Sequence, residues 1–302
     1  MYKYVLIILS LILTSCGDGI VEIDSKIYEP KIVVRGFLEP NKQVSNISIS
    51  RNFPLNQKFN QDSLHLENAN VILTDLILNK SYKLEYDKTS KTYQKLDLIV
   101  EKGKIYKLYV SATIDNKNLE AWSTTKVPDE LLEIDTIKSK LKPFIAFDKD
   151  ETGNYKCFEL YWKCSPDNFC FVFNKEPLNT DWSNLIFSSP WDAYDKAKQK
   201  YGNNWYSLRH ITTYIIFNRN KQNEFYYSIE PVLFIYYGLQ KLIITTGDIN
   251  FLDYITQPQE MVDVDGNYFE PKHHINGNGI GVFGSMISDT VEVMLLKRNY
   301  EQ

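Results

Sequence analysis

Apolar side chains recur at every second position over short stretches of this chain, and that period narrows what it can fold into. From residue 32, Ile32, Val34 and Gly36 fall on one face and Val33, Arg35 and Phe37 on the other, until Glu39-Pro40 ends the run. Over 44–51, Val44, Asn46, Ser48 and Ser50 alternate with Ser45, Ile47 and Ile49. Successive side chains of an extended chain point to opposite faces, so the pattern predicts strands with one face buried. Residues 52–68 are mostly polar and read as a loop; 69–75, 81–86, 104–110 and 119–127 follow as further strands. Strands about 10–15 residues apart, with Asn, Lys and Gly turns between them, predict a β-sandwich of around 100 residues. Pro128 closes it and an acidic link follows. The 21 tyrosines and 14% aromatic content suit half-buried strands.

The second half is mixed and still β-rich. Residues 155–162 and 169–173 read as two strands around a turn at 164–168, and 191–200 as a short polar helix. Residues 210–217 form an apolar strand. Residues 221–240 are ambiguous: Phe225, Ile229, Val232 and Tyr236 recur at helical spacing, yet Pro231 would kink a helix. A strand at 242–246, a glycine-rich turn and a strand at 290–296 complete the chain. The expected fold is mainly β, an Ig- or transthyretin-like sandwich over 29–128 followed by a β-rich α+β domain over 129–302.

The amino terminus reads as an address. Lys3 precedes a short apolar run, Tyr4 to Leu13, which ends Leu13-Thr14-Ser15-Cys16. The run is about half the roughly 20 residues a spanning helix needs, and suits the hydrophobic region of a signal peptide. The ending resembles the bacterial lipobox. Small residues let a peptidase close on the backbone, and the Cys16 thiol is the nucleophile that accepts a diacylglyceryl group. Residues 1–15 are therefore expected as a lipoprotein signal peptide and 16–28 as a tether. The acidic residues after Gly17 resemble surface-export signals of Bacteroidota lipoproteins.

A wider resemblance follows from Ile32-Val33-Val34-Arg35-Gly36-Phe37-Leu38, from 67–75, from 103–110 and from Thr124-Thr125-Lys126-Val127-Pro128. In this order, behind a lipobox, these segments resemble a Bacteroidota lipoprotein family known as domain of unknown function 4249. The resemblance implies an amino-terminal part similar to transthyretin-like or carboxypeptidase-regulatory-like sandwiches. It also implies lipoproteins commonly encoded beside TonB-dependent receptors of outer-membrane uptake.

Several motifs invite sharper chemistry. Asp148, Asp150, Gly153 and Glu159 match much of a calcium-loop spacing, but position 5 is Thr152 and the flanks read as strands, so a solvated turn is favoured. Asp263 and Asp265 form a similar turn-like cluster. Gly279-Ile280-Gly281-Val282-Phe283-Gly284 matches a dinucleotide fingerprint by letter, yet lacks the following helix. It resembles the family's carboxy-terminal signature, and its physics is a bulged or tightly packed strand. His273-His274 point to opposite faces of an extended chain and suit no common ion. Cys164 and Cys170 flank a turn and are the first choice for a disulfide; pairing of Cys157 with either, or burial of all three as small hydrophobes, stays open. Trp182, Trp191 and Trp205 lie in the least patterned segment and are candidates for stacking on a ligand.

A net charge of −4 and a pI near 5.7 argue against a broad nucleic-acid surface. No Gly-x-Ser-x-Gly frame or other local catalytic motif is present, so no cofactor, metal or catalytic residue is expected. The reading is a surface-exposed outer-membrane lipoprotein, held by Cys16, acting as a non-enzymatic accessory of a TonB-dependent barrel. The alternatives are a surface glycan or peptide hydrolase, and a structural or adhesive surface protein.

Overall fold

The computed structural model describes residues 28–54, 63–129, 131–168, 170–180, 184, 186, 212–256 and 272–297. In chain order the first strands are β1 (Ile32–Leu38), β2 (Gln43–Arg51), β3 (Asn70–Asp75), β4 (Lys80–Lys83), β5 (Glu85–Asp87) and β6 (Thr92–Ile99). There follow β7 (Ile105–Ile114), β8 (Lys117–Lys126), β9 (Leu132–Ile134), β10 (Phe144–Ile145), β11 (Phe158–Cys164) and β12 (Cys170–Pro177). The remainder are β13 (Thr212–Phe217), β14 (Glu224–Ile229), β15 (Gly238–Gly247), helix α1 (Ile249–Thr256), β16 (Asn276–Gly277) and β17 (Gly279–Leu296). The fold is mainly β, as the alternation predicts.

Two cores organise these strands. In the first, β17, β1, β2, β6 and β5 lie side by side and face the sheet β16-β8-β7-β3-β4. Ile32, Val34, Ile47 and Ile49 from one layer meet Val71, Leu73, Leu108 and Val110 from the other. In the second, β13-β12-β15-β17 faces the three-stranded sheet β14-β11-β9. Phe171, Phe173, Leu242 and Ile244 there meet Phe158, Leu160, Trp162 and Ile229.

Strand β17 belongs to both cores. Gly279–Ser285 pair in parallel with β1, and Met286–Leu295 pair antiparallel with β15. The glycine-rich segment is therefore the first third of one 18-residue strand, tightly packed as its glycines suggest, and not a turn before a strand. Glycine is required where it lies against β1. Gly281 has φ +104°, and a Cβ there would sit 2.1 Å from the Val34 carbonyl oxygen. The first core is thus completed by residues near the end of the chain.

Other departures from the sequence reading have local causes. β1 buries Ile32, Val34, Gly36 and Leu38 as expected. In β2, however, Val44 is buried together with Ile47 and Ile49, on the opposite side from the predicted split. The pairing with β6 shifts between Val44 and Ile47, and Asn46 adopts a left-handed φ of 60°. One extra residue at this bulge turns the preceding side chains over. Residues 81–86 divide into β4 and β5, which lie in different sheets. Residues 221–240 resolve into β14, a short 3-10 turn at Pro231–Leu233 and the start of β15. The turn at 164–168 makes no hairpin: β11 pairs with β14 and β9, whereas β12 pairs with β13 and β15, so the chain crosses there between layers. The expected helix at 191–200 lies outside the described residues.

Candidate functional site: a polar knot under an apolar-rimmed cleft

A cleft of about 340 Å³ opens where the end of β8 meets the turn from β15 into α1. Ile105, Lys126, Pro128 and Asp129 line one side, and Gly247, Asp248, Ile249 and Asn250 the other. Helix α1 is held here through its apolar face. Phe251 packs edge-on against Phe37 at 5.6 Å, and Tyr254 lies 5.8 Å from the same ring. Gly247 lets the helix approach, because a Cβ there would lie 2.4 Å from the Ser285 carbonyl oxygen and 2.6 Å from the Phe251 ring.

Asp248 caps the helix and ties three elements together. Its Oδ1 accepts from the backbone N–H of Phe251 and of Ser285, both at 3.1 Å. Such a cap satisfies donors that the first helical turn leaves free. Its Oδ2 lies 2.6 Å from the Thr125 hydroxyl, which lies 2.8 Å from the Ser285 hydroxyl. The Ser285 hydroxyl donates to the Lys126 carbonyl at 2.6 Å. Asn250 adds two donations, to the carbonyls of Thr124 and Phe283, both at 2.8 Å.

The Thr125 hydroxyl donates to the Asp248 carboxyl and also lies within hydrogen-bond distance of Ser285, whose own hydrogen is committed to Lys126. Burial raises the Asp248 carboxyl above its ordinary range, in spite of the donors from Thr125, Ser285 and Phe251 and the nearby His274. Both carboxyl oxygens are engaged by neighbouring groups of the fold, and Asp248 is one of the residues that line the cleft. Asp129, the other carboxylate of the lining, lies 3.7 Å from the Lys126 ammonium.

A second buried charge lies in the other core. Lys175, on β12, is 1% exposed, and its ammonium has no hydrogen-bond partner among the described residues. It stands 4.6 Å from the centre of the Phe234 ring, and burial lowers it to about 8. The side-chain carbonyl oxygen of buried Gln240 is also without a partner among the described residues. Lys175 pairs with Leu242 and Pro177 with Gln240, which places Lys175 and Gln240 on the same sheet face. A lysine in the alternating run Phe171, Phe173, Lys175 was the available signal, and the sequence reading passed over it.

The sequence-predicted residues fall as follows. Asp150 accepts from the Thr152 and Asn154 backbone N–H groups at 2.9 and 3.0 Å, and Asp148 pairs with Lys156 at 2.6 Å. Glu159 is apart from them on β11, accepting from the Tyr161 hydroxyl at 2.7 Å. Cys157, Cys164 and Cys170 are free thiols; Cys164 and Cys170 are buried, and burial pushes both to about 11. Their strands diverge into different layers, which removes the hairpin geometry that favoured a Cys164–Cys170 bridge. His274 pairs with Asp253 at 2.7 Å, while His273 faces the Ile275 carbonyl. Cys16, Trp182, Trp191, Trp205, Asp263 and Asp265 lie outside the described residues. Exposed aromatic surface is found elsewhere: Tyr226 stacks on Tyr161 at 5.4 Å on the outer face of the three-stranded sheet.

Fold and site together define a β-sandwich protein with two cores, a shared closing strand and a buried polar knot beneath a cleft. The chain belongs to the DUF4249 family, a domain of unknown function, whose sequence pattern matches residues 20–291. No curated protein matches it. Among solved structures it is similar to a tetra-tandem repeat in the extending region of a large adhesion protein, at 11% identity and a TM-score of 0.23. That match covers 88% of this chain and 49% of the other, so this chain spans about half the length of that structure. It is also similar to the FN1–FN3 domains of chicken CNTN1, at 7% identity and a TM-score of 0.17, covering 89% of this chain and 68% of the other. Likenesses this loose carry no argument about function.

Proposed function

We propose that the chain is a non-enzymatic binding accessory, anchored in the outer membrane by lipid on Cys16, displayed at the cell surface and working beside a TonB-dependent barrel. The observation that carries the non-enzymatic part is how the cleft spends its polar groups. Asp248, Thr125, Ser285 and Asn250 are bonded to one another and to the backbone, in a knot that holds β8, α1 and β17 together. A hydrolase would keep a nucleophile and base, or two carboxylates, free to meet a substrate. The rim of the same cleft carries exposed Ile249. That is surface suited to contact.

The lipobox and tether support the location, and membership of the family supports the association with an uptake system. An acyl anchor would replace intrinsic affinity with effective concentration at the barrel. The test is a pull-down of the protein from its own membranes in mild detergent, with intact mass measured on the same sample. Acylated Cys16 and a co-purifying barrel are expected. An acylated protein that brings down no barrel would overturn the accessory role, and an unmodified Cys16 would overturn the anchor.

A further inference from the structure

The β3–β4 hairpin ends in three consecutive aliphatic residues that the fold leaves in water. Leu76, Ile77 and Leu78 are 45%, 58% and 57% exposed. A run of this kind at a tip is unfavourable on a water-exposed surface unless something covers it. The tip is also held rigidly. Asp75 is buried and accepts from the N–H groups of Ile77 and Leu78 at 2.8 and 3.0 Å, and it pairs with Lys104 at 3.4 Å. Asn79 closes the loop with a left-handed φ of 51°, and the Leu76 N–H is tied to the Ile105 carbonyl.

We infer that this tip inserts into the surface of a lipid bilayer. Three features select lipid as the occupant. The tip is a hairpin turn that joins β3 to the outer strand β4 of its sheet, with all three aliphatic side chains open to water. Its apolar residues form one continuous cap of three, enough to enter the boundary between headgroups and acyl chains. Lys80 follows the tip and Lys102 lies in the loop that leads to Lys104 and Ile105. Both are exposed, and among the described residues neither is within salt-bridge distance of a carboxylate. Two exposed ammonium groups, that of Lys80 lying 5.1 Å from the centre of the Tyr82 ring, stand beside the apolar cap and complement anionic headgroups.

The position of the tip adds an orientation, which rests on the Cys16 anchor proposed above. The chain enters at Tyr28, whose hydroxyl bonds to Asp115 at the β7–β8 turn. The tip lies beyond the opposite end of β7, about 30 Å away at the usual rise of a ten-residue strand. The 12 residue steps from Cys16 to Tyr28 reach about 40 Å when extended. Anchor and tip can therefore share one bilayer, with the first sandwich lying along the membrane.

The test places a reporter at the tip itself. Ile77→Trp adds an indole where the side chain is already exposed. The protein, processed in its own cells, is mixed with vesicles of phosphatidylethanolamine and phosphatidylglycerol containing acyl-brominated lipid. The emission added by the variant over wild type should shift to the blue and be quenched. Leu76→Ser, Ile77→Ser and Leu78→Ser together should weaken partitioning of non-acylated protein about a hundredfold, from roughly half the full burial of three aliphatic side chains. Lys80→Glu with Lys102→Glu should reduce quenching in anionic but not in phosphatidylcholine vesicles. Emission that stays water-like and unquenched would overturn the proposal. So would a tip covered in native membranes but exposed in pure lipid, since that would make the occupant a protein. Bromine quenching reports on residue 77 whether or not Cys16 is acylated, so failure of the anchor is read separately from the intact mass.

Discussion

Replacing Lys175 with methionine should make this protein more stable. In the folded chain the ammonium is 1% exposed, lies over the Phe234 ring and has no hydrogen-bond partner among the described residues. Burial brings it from 10.5 to about 8. Between those values the unfolded chain binds a proton that the folded chain lacks, so stability rises with pH across the window. Below it, both states are protonated and the folded state bears the full cost of a desolvated ammonium, about 3 kcal/mol. Methionine has similar length, carries no charge and packs well on an aromatic ring. Lys175→Met should therefore gain about 2–3 kcal/mol at pH 7 and raise Tm by roughly 5–10 °C. The assay is urea unfolding followed by tryptophan emission, repeated from pH 7 to above 10. Tyrosines and cysteines also titrate in the upper part of that range, so the informative quantity is wild type minus variant. That difference should shrink as pH rises from about 8 to 10.5. A variant that is less stable at pH 7, with a difference that does not change with pH, would refute the reasoning and mean that the ammonium has a partner in solution.

Asp248→Asn should cost less than Asp248→Ala, because the amide oxygen still accepts from the Phe251 and Ser285 N–H groups. Asp248→Ala should lose about 3 kcal/mol by removing the helix cap and stranding the Ser285 N–H, read by thermal melts. A carboxyl raised by burial contributes stability at low pH that is lost as pH rises through its folded value, so wild type should show that decline and Asp248→Asn should not. Gly281→Ala should cost more than about 2 kcal/mol, since it combines a positive φ with a clash against β1, and equilibrium unfolding measures it. A fragment of residues 29–128 should fail to give a cooperative melt or dispersed amide spectrum, because it lacks the β17 segment that pairs with β1.

The legible part of the fold was the part written in local alternation. Ile32, Val34 and Leu38 announced β1 because a strand packed on one face leaves a period of two. β6 was missed for the converse reason: of its eight residues only Tyr93 is buried, so its sequence carries little alternation. The register of β2 depended on Asn46, whose left-handed backbone leaves no apolar signature. Helix α1 is only eight residues long and follows directly on β15, too short for its period to stand out. The site was less legible still. Thr125, Ser285 and Asp248 lie more than a hundred residues apart at the extremes, and nothing local marks them as partners. The glycines of 279–284 did signal close packing, but not against which strand. The candidate disulfide failed on topology, since a turn between two strands looks the same whether they pair or part.

Strand β17 also sets a schedule. β1 is among the first strands to emerge from any ribosome or translocation channel, yet its parallel neighbour is made about 250 residues later. The first core cannot seal until nearly the whole chain is present. Its exposed edge must wait, open to other strands or to chaperones, while the second sandwich is synthesised. Under the export proposed above this delay would have a use: a polypeptide that cannot close its first core early stays threadable for longer.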